Sequence, residues 1–272
     1  QRTDARTAAL FDGSIRLLDN LGVWTDVRPS SAPISAIRIV DDTGTVLRAP
    51  ETLFPASDAG LDVFGYNVPN GPLVAALWDR AQATQRLAIR AETLKSLTIS
   101  GPVAALSTES GTRVEASLVV AADGRNSICR AAAAISTKRW DYEQAALVTR
   151  FTHTRPHRGV STELHRAAGP LTTVPLPGLA SSLVWVERPA EAARLAALPE
   201  AEFRATLEER LQGLLGTLGA FGRRTVFPLS GLTPDRFGQR RVALVGESGH
   251  VIPPIGAQGL NLGLRDAATI AE

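Results

Sequence analysis

The sequence has 272 residues, of which 44% are hydrophobic and 21% charged, and its formal net charge is +2. This composition is typical of a globular protein, and the longest apolar run is far too short for a transmembrane helix. The basic residues are scattered among acidic ones, which argues against a nucleic-acid-binding protein. The single cysteine, Cys129, excludes an internal disulfide and a cysteine-based zinc site.

The ends of the sequence suggest a longer protein. The chain starts at Gln1, contains no methionine, and stops at Glu272 within a helical pattern. We therefore expect an internal segment, with further sequence on both sides. No charged-then-apolar signal segment is present near Gln1, so a cytoplasmic location is expected.

Helix and strand patterns alternate over the first part of the chain. Residues 7–21 carry apolar positions at helical spacing, which predicts a helix. Residues 34–50 alternate around an Asp-Asp-Thr-Gly turn and predict a β-hairpin. Residues 67–84 predict a second helix, with Asn70 as its N-cap and Pro72 in the first turn, where a missing N–H costs nothing.

Strand patterns dominate the middle of the chain. Residues 86–124 predict a succession of short strands separated by glycine turns. Further strands of a separate sheet are predicted at residues 144–154, 169–176 and 181–187. Residues 189–216 then form a long amphipathic pattern, which predicts either one long helix or two helices that meet near Pro199.

A stretch with chemical character, "RVALVGESGHVIPPIGAQGLNLGLRDA", follows near the C-terminus. Val242–Val245 is a short apolar run, as in a buried strand, so Gly246 and Glu247 lie at the ligand-facing edge of an open α/β sheet. Pro253 and Pro254 continue neither a helix nor a central strand, so the chain crosses there as a rigid extended segment.

A glycine-rich corner comes after the two prolines. Gly256 and Gly259 allow the backbone to approach a bound molecule closely. Residues 260–268 predict a helix whose first-turn N–H groups and positive dipole end face the same place. A carboxylate for hydroxyl groups beside a helix N-terminus suits a large planar cofactor with a polyol arm.

A hydrolase is the competing interpretation of the same stretch. Residues 246–250, Gly-Glu-Ser-Gly-His, nearly match the Gly-x-Ser-x-Gly nucleophile elbow. The last position is His250 rather than glycine, and the elbow needs a helix directly after its serine. Because the two prolines forbid such a helix, the hydrolase is the weaker interpretation.

A second stretch, "ASLVVAADGRNSICRAA", begins with a predicted buried strand at Leu118–Ala122. Asp123 and Gly124 make a turn where this strand ends. Ser127 is predicted to cap a helix that carries Cys129 and Arg130. In the middle of a helix, Cys129 is expected to be a small core residue rather than a nucleophile.

Together the two stretches resemble FAD-dependent aromatic hydroxylases of the p-hydroxybenzoate hydroxylase type. The pattern is Asp-Gly-x-x-Ser-x-x-Arg, then Gly-acid-x-x-His-x-x-Pro-Pro-x-Gly-x-x-Gly-x-Asn more than a hundred residues later. The segments "RTDARTAAL", "FGYNVPNGPLVAAL", "KRWDYEQAALV" and "IGAQGLNLGLRDA" are most similar to the ubiquinone-biosynthesis hydroxylases, the 2-polyprenyl-6-methoxyphenol hydroxylase family. The resemblance spans nearly the whole chain.

The resemblance implies an α/β fold, in which an incomplete Rossmann-like FAD/NAD(P)-binding domain carries an inserted, mainly β substrate domain. The implied FAD-binding domain comprises residues 1–30, 67–138 and 230–272, and the substrate domain comprises residues 31–66 and 139–229. The Gly-x-Gly-x-x-Gly turn that binds the ADP half of FAD in this family is absent from the sequence. We expect it upstream of the chain.

The resemblance also implies a set of cofactor-binding residues: Arg6, Asn70, Asp123, Gly124, Gly246, Glu247, Gly256, Gly259, Leu260 and Asn261. Arg6 would contact the ribityl or pyrophosphate region of FAD, and Asn70 would stand near the flavin arm. Asp123 and Gly124 would line the dinucleotide site and serve both FAD and NAD(P)H.

The remaining implied roles lie in the glycine-rich stretch. Glu247 stands where the family more usually has aspartate, and its extra methylene changes the reach toward a ribityl hydroxyl. Gly256, Gly259, Leu260 and Asn261 would cradle the flavin ring. The two candidates near the reacting atoms are the carbonyl of Pro254, which would face the substrate, and His250, which is expected to be a hydrogen-bonding strut rather than a base.

The implied function is a flavin-dependent monooxygenase. NAD(P)H would reduce FAD, O2 would add to give a flavin hydroperoxide, and the distal oxygen would hydroxylate a polyprenylated phenol on the route to ubiquinone. We expect peripheral association with a membrane or with a ubiquinone-biosynthesis complex, and no nucleic-acid partner. Two alternatives are a hydroxylase of a small soluble aromatic acid, anchored by Arg150, Arg155 or Arg158, and a non-catalytic scaffold.

Other candidate residues have plainer interpretations. His153 and His157 are four apart, but an intervening proline and strand-like surroundings exclude the helix on which they would pair as metal ligands, so no metal is expected. Trp140, Tyr142 and Gln144 either line a substrate pocket or pack in the core.

Overall fold

The computed structural model describes residues 6–45 and 48–272, which form two compact units. Within the described residues, the first unit comprises 6–80 and 142–229, and the second comprises 81–141 and 230–272. The domains predicted from the sequence do not coincide with these units at residues 6–30 and 67–80, which belong to the first unit, and at residues 139–141, which belong to the second. Which segments bind cofactor and which bind substrate stays a prediction.

Strands and helices follow one another along the chain. The strands are β1 Thr7–Phe11, β2 Ala32–Ile34, β3 Ala36–Asp41, β4 Thr52–Pro55, β5 Gly65–Pro69, β6 Leu94–Ser100, β7 Val103–Thr108, β8 Arg113–Ala116, β9 Val119–Ala121, β10 Thr137–His153, β11 Val160–His165, β12 Leu171–Leu176, β13 Ala180–Glu187, β14 Leu218–Phe221, β15 Thr225–Pro234, β16 Gly238–Gln239 and β17 Val242–Leu244. The α-helices are α1 Asp12–Asn20, α2 Trp24–Val27, α3 Asn70–Gln82, α4 Ile128–Ala132, α5 Pro189–Ala197, α6 Glu200–Leu211 and α7 Gln258–Ala271. Short 3-10 helices lie at Arg28–Ser30, Ala56–Ala59, Gly246–Ser248 and Ile255–Ala257.

The first unit is built on a large, mostly antiparallel sheet. Its strand order is β14-β10-β13-β12-β11-β3-β4, and β11 pairs with β3 in parallel. Helix α6 covers this sheet, and Leu147, Trp185 and Phe203 are buried together in the core. A smaller sheet has the order β1-β5-β2. The mainly β character predicted for residues 144–187 is therefore confirmed.

The second unit holds two three-stranded sheets. Strands β6, β7 and β8 are antiparallel, whereas β17 lies between β16 and β9 and pairs with β9 in parallel. Val119, Val242 and Leu244 share one buried core with Leu97 and Cys129. Because parallel strands run in the same direction, the carboxyl ends of β9 and β17 lie at one edge of the sheet.

The helix predicted at residues 7–21 is wrong in its first part. Residues 7–11 form β1, which pairs with β5 so that Leu10 lies opposite Tyr66, and only Asp12–Asn20 is helical. Four apolar residues in succession, residues 8–11, satisfy either pattern, and a partner strand more than fifty residues away decides between them. The helix predicted at residues 67–84 is likewise wrong in its first three residues, because residues 67–69 belong to β5 and α3 begins at Asn70.

The predicted antiparallel pair is present, with β4 at Thr52–Pro55 as its second strand, whereas residues 46 and 47 of the predicted hairpin lie outside the described residues. Strands β3 and β4 are antiparallel, with Ile39 opposite Thr52. The Asp41 carboxylate accepts hydrogen bonds from the N–H groups of Thr43 and Ala49, at 3.0 and 2.9 Å, and thereby closes a wide loop. Of the two alternatives for residues 189–216, the structure shows two helices, since α5 ends at Ala197 and α6 begins at Glu200. Of the described helices, none is both long and apolar enough to span a membrane.

Candidate functional site

The two stretches with predicted chemistry end at the same edge of the β9–β17 sheet. Ala121, the last residue of β9, pairs with Leu244, the last residue of β17. Residues 122–127 follow β9 and residues 245–250 follow β17, and we call these two segments the edge loops. The structure therefore brings Asp123 and Glu247 to one edge, although the sequence separates them by more than a hundred residues.

Ser248 ties the edge loops together at their base. Its side chain is fully buried, and its hydroxyl lies 2.6 Å from the carbonyl oxygen of Ala121 and 2.9 Å from that of Val245. The Val245 N–H in turn donates to the Ser248 hydroxyl at 3.1 Å. A buried hydroxyl committed to the backbone cannot attack a substrate. The hydrolase interpretation, in which Ser248 is the nucleophile, is therefore wrong.

Arg130 is the second link between the edge loops. It lies on α4 with only 4% of its surface exposed. Its guanidinium donates to the carbonyl oxygens of Ser248 at 2.6 Å and Arg125 at 2.7 Å, one in each loop. Burial and the nearby charge of Arg139 lower the pKa of Arg130 from its very high ordinary value. A guanidinium remains charged even so, and hydrogen bonds from charged donors are the stronger ones.

The loop after β9 is also fixed by side-chain caps. The Ser127 hydroxyl accepts from the Arg130 N–H at 2.9 Å, so the predicted N-cap of α4 is confirmed. The Asp123 carboxylate accepts from the Cys129 N–H at 3.1 Å. Burial tends to raise the pKa of Asp123, but the hydrogen bonds from Ser127 and Cys129 outweigh it and lower the pKa. Asp123 is therefore negatively charged at neutral pH.

Cys129 is buried in the core of the second unit, as predicted. Burial, together with the negative charge of Asp123, raises the pKa of its thiol to about 12. The thiolate is the reactive form of cysteine, and it is nearly absent at neutral pH under these conditions.

Glu247 lies on the protein surface, at the carboxyl edge of the β9–β17 sheet. Its carboxylate faces the guanidinium of Arg125 at 3.4 Å, and about half of each side chain is exposed. A surface carboxylate at the end of a parallel strand is able to accept hydrogen bonds from the hydroxyl groups of a ligand. The assignment of Glu247 to a ribityl hydroxyl stays a prediction.

Helix α7 is joined to the turn after β17 by Asp266, which the sequence analysis missed. The Asp266 carboxylate accepts from the Gly246 N–H at 2.9 Å and lies 2.8 Å from Nε2 of His250. The helix also approaches closely, because a Cβ added at Gly263 would lie 3.3 Å from the Cα of Gly246. Gly263 and Asp266 are three residues apart and so share one helix face. A glycine and a carboxylate at this spacing were the only indication in the sequence that this face of α7 packs closely against another segment.

The glycine-rich corner is open where α7 begins. Gly256 and Ala257 both have left-handed backbone angles, with φ of 65° and 52°, and α7 starts at Gln258, two residues before the predicted start. The N-cap residue Ala257 has no side-chain oxygen to cap the first-turn N–H groups. A Cβ added at Gly259 would meet nothing within 4 Å.

These features of the second unit fit FAD. The Glu247 carboxylate suits the hydroxyl groups of a polyol arm, and the first turn of α7 suits the partial negative charge of a flavin ring. The backbone at Gly259 leaves room for a flat ring. Ile255 and Leu260 expose apolar surface on either side of that glycine, at 58% and 38%.

Arg6 and Asn70, also predicted to bind FAD, lie together in the first unit. The Asn70 N–H donates to the carbonyl oxygen of Arg6 at 3.0 Å. The guanidinium of Arg6 stacks over the ring of Phe227, 5.6 Å from its centre. Their roles toward a cofactor stay predictions, as do those of Gly124, Pro254 and Asn261.

The ring nitrogens of His153 and His157 have protein partners. Those of buried His153 lie 2.9 Å from the carbonyl oxygen of Arg155 and 3.0 Å from the hydroxyl of Ser181. Nε2 of His157 lies 2.9 Å from the carbonyl oxygen of Leu176. Across residues 6–45 and 48–272, three or more His, Cys, Asp or Glu side chains nowhere gather as a metal site would require.

The side chains considered for a substrate pocket or anchor also have structural contacts. Gln144 donates to the carbonyl oxygen of Ala168 at 2.7 Å, and Arg155 donates to that of Gly213 at 2.7 Å. Trp140 packs against the backbone of Gly231, where a Cβ would collide with the indole. Gln144 and Trp140 therefore have protein contacts, and a role for them in a substrate pocket stays a prediction.

Comparison with known proteins gives a family match over the whole chain. The model of the family described as "FAD binding domain" matches residues 1–272. The chain is 38% identical to ubiquinone hydroxylase UbiL of Rhodospirillum rubrum, covering 99% of this chain and 62% of that protein. It is 28% identical to 3-demethoxyubiquinol 3-hydroxylase of Escherichia coli, covering 99% and 68%. The chain thus spans about two thirds of the length of these relatives.

Solved structures share the fold. PqsL from Pseudomonas aeruginosa superposes with a TM-score of 0.80 at 21% identity, covering 99% of this chain and 76% of that one. The p-nitrophenol 4-monooxygenase PnpA from Pseudomonas putida gives a TM-score of 0.74 at 18% identity, covering 98% and 69%. At these identities the similarity establishes the α/β fold that the sequence predicts.

Proposed function

The chain belongs to the FAD binding domain family, and from this we propose that it is part of a flavin-dependent monooxygenase that hydroxylates a polyprenylated phenol in ubiquinone biosynthesis. The main structural support is the meeting of the two edge loops at the carboxyl edge of β9 and β17, beside the uncapped start of α7. The carboxyl edge of parallel strands is where open α/β sheets bind their ligands.

We assign the chain's own residues to binding and orientation. Glu247 accepts hydrogen bonds from the polyol arm, and Asp123 holds its charge beside the same edge. The first-turn N–H groups of α7 stabilise negative charge on the flavin ring by about 1 kcal/mol. Gly256 and Gly259 let the backbone lie against the ring, and the Pro254 carbonyl faces the substrate.

The cofactor supplies the difficult chemistry. Bound FAD would carry two electrons from NAD(P)H to O2, so that one oxygen atom enters the phenol ring and the other leaves as water. The protein's part is to orient ring and substrate and to exclude bulk water.

The identity to UbiL, a ubiquinone hydroxylase by name, supports a substrate on the route to ubiquinone. A polyprenyl tail partitions into lipid, since each buried CH2 group contributes roughly 0.8 kcal/mol. We therefore also propose peripheral association with a membrane or with other proteins of the pathway. Co-sedimentation with liposomes, with and without the prenylated phenol, tests this association.

The experiment for the reaction supplies the full-length protein with FAD, NAD(P)H and 18O2. A polyprenylated phenol and a small soluble aromatic acid are offered in parallel, and products are identified by mass spectrometry. The proposal predicts one 18O atom in the prenylated product. Hydroxylation of the soluble acid alone contradicts the substrate assignment, and the absence of any labelled product with FAD bound favours a non-catalytic scaffold.

A further inference from the structure

Arg125 and Glu247 form a pair that joins the two edge loops at the surface. Nε of Arg125 lies 3.4 Å from Oε2 of Glu247, and a terminal nitrogen lies 3.4 Å from Oε1, so the guanidinium faces both carboxylate oxygens. An exposed ion pair by itself contributes little, because water screens it and two long side chains lose freedom. The contribution of this ion pair therefore depends on how rigidly the backbone holds Arg125 and Glu247.

The two edge loops that carry the pair are held by the same buried guanidinium, that of Arg130. The carbonyl oxygen of Arg125 accepts from Arg130 at 2.7 Å and from Arg139 at 2.9 Å. Arg130 also donates at 2.6 Å to the carbonyl of Ser248, the residue after Glu247. Arg130 therefore fixes the backbone of Arg125 and of the residue after Glu247 independently of the ion pair. This reduces the conformational entropy that is lost when the two side chains pair.

The length of Glu247 matches this arrangement. A glutamate places its carboxylate one carbon–carbon bond, roughly 1.5 Å, farther from the backbone than an aspartate does. The contact to Arg125 is already 3.4 Å, so an aspartate carboxylate on the same backbone would fall outside hydrogen-bonding range. A longer side chain also has more rotamers, and a partner is needed to restrict them.

We propose that Arg125 is a positioning residue, which holds the Glu247 carboxylate in place for the hydroxyl groups of FAD. This inference rests on the proposed function. In this role Arg125 acts through Glu247. It compensates for the freedom that the longer acid would otherwise have.

A double-mutant cycle on FAD affinity tests the inference. The full-length apoprotein, Arg125→Ala, Glu247→Asp and the double variant are titrated with FAD, and the quenching of flavin fluorescence gives each Kd. We expect Arg125→Ala to raise the Kd about threefold to fivefold when Glu247 is present, the size of an exposed ion pair. In the Glu247→Asp background the same change leaves the Kd nearly unchanged, because the shorter carboxylate does not reach Arg125.

Two controls separate positioning from folding. Arg113 faces Glu115 at 3.8 Å in another exposed pair of the same unit, and Arg113→Ala is expected to leave the Kd unchanged. Arg125→Lys, which keeps the charge, is expected to recover part of the affinity. The melting temperature of Arg125→Ala is expected to match that of the unmodified protein.

The outcomes are distinct. An equal loss of affinity in both backgrounds overturns the inference, because Arg125 then acts independently of Glu247. Tighter FAD binding by Arg125→Ala also overturns it, since the pair would then compete with the ligand. If the unmodified protein binds no FAD, the proposed function fails and the inference fails with it, whereas additive effects with FAD bound overturn the inference alone.

Discussion

The loop after β9 and the glycine-rich corner before α7 belong to the same unit but are held in opposite ways. In the loop, side chains satisfy the backbone: Ser127 caps α4, and buried Arg130 holds the Arg125 carbonyl. In the corner, Gly256 and Ala257 turn the chain through left-handed angles, and no side-chain oxygen caps α7. The loop is a scaffold whose polar groups are committed to protein, whereas the corner leaves its backbone open to a ligand.

Because buried side chains hold the loop after β9, we expect the largest loss of stability from a substitution at Arg130. Arg130→Ala removes two hydrogen bonds from a charged donor: the Ser248 carbonyl loses its guanidinium donor, and the Arg125 carbonyl retains the one from Arg139. We expect a loss of about 2–4 kcal/mol in the free energy of unfolding. Arg139→Ala is the matched control, because Arg139 donates to the same Arg125 carbonyl from an exposed position. Urea unfolding measures both, and equal losses would refute the distinction.

A smaller loss is expected at Ser248. Ser248→Ala keeps the fold of the turn but leaves the Ala121 carbonyl without the hydroxyl that lies 2.6 Å from it, at a cost of about 1–2 kcal/mol in the free energy of unfolding. Ser110→Ala, at an exposed position, serves as the reference substitution. An unchanged midpoint of urea unfolding for Ser248→Ala would mean that the loop is not held in this way.

In the glycine-rich corner we expect the opposite: a substitution that raises stability and weakens FAD binding. Gly259→Ala adds a methyl group in open space within a helix, so it stabilises the protein by up to about 1 kcal/mol, while FAD affinity falls by about tenfold. Gly263→Ala is the contrast, since its methyl group would press on Gly246 and lower the melting temperature. Thermal unfolding and FAD titration of both variants check this. If Gly259→Ala binds FAD normally, the corner does not contact the ring.

The smallest expected effect is a pH dependence at Asp123. Its pKa is lowered in the folded protein, so its contribution to stability is present above the ordinary aspartate pKa of about 4 and is lost as the pH falls through the lowered value. Asp123→Asn removes this part of the acid sensitivity. Unfolding free energies measured from pH 7 down to pH 2.5 would show a shallower decline in the variant, and parallel curves would contradict it.

Local sequence was sufficient for much of the second unit. Short apolar runs ending in turn residues predict β9 and β17, and Ser127 before an alanine-rich segment predicts the cap of α4. These features depend on residues that are neighbours in the chain. The placement of Asp123 and Glu247 at one edge then follows from the parallel pairing of the strands.

Features that depend on distant partners were missed. Residues 7–11 form a strand because β5 pairs with them, and no local pattern reveals that partner. Asp266 has the pattern of an ordinary polar helix residue, and its contact with Gly246 exists only once α7 folds back against β17. The pairing of Arg125 with Glu247 likewise spans 122 residues.

The visible absorption spectrum of the purified full-length protein is the most direct test of the proposed FAD site and its redox role. We expect flavin absorption bands that bleach when NADH or NADPH is added under anaerobic conditions. A colourless protein that takes up no FAD on reconstitution would contradict it.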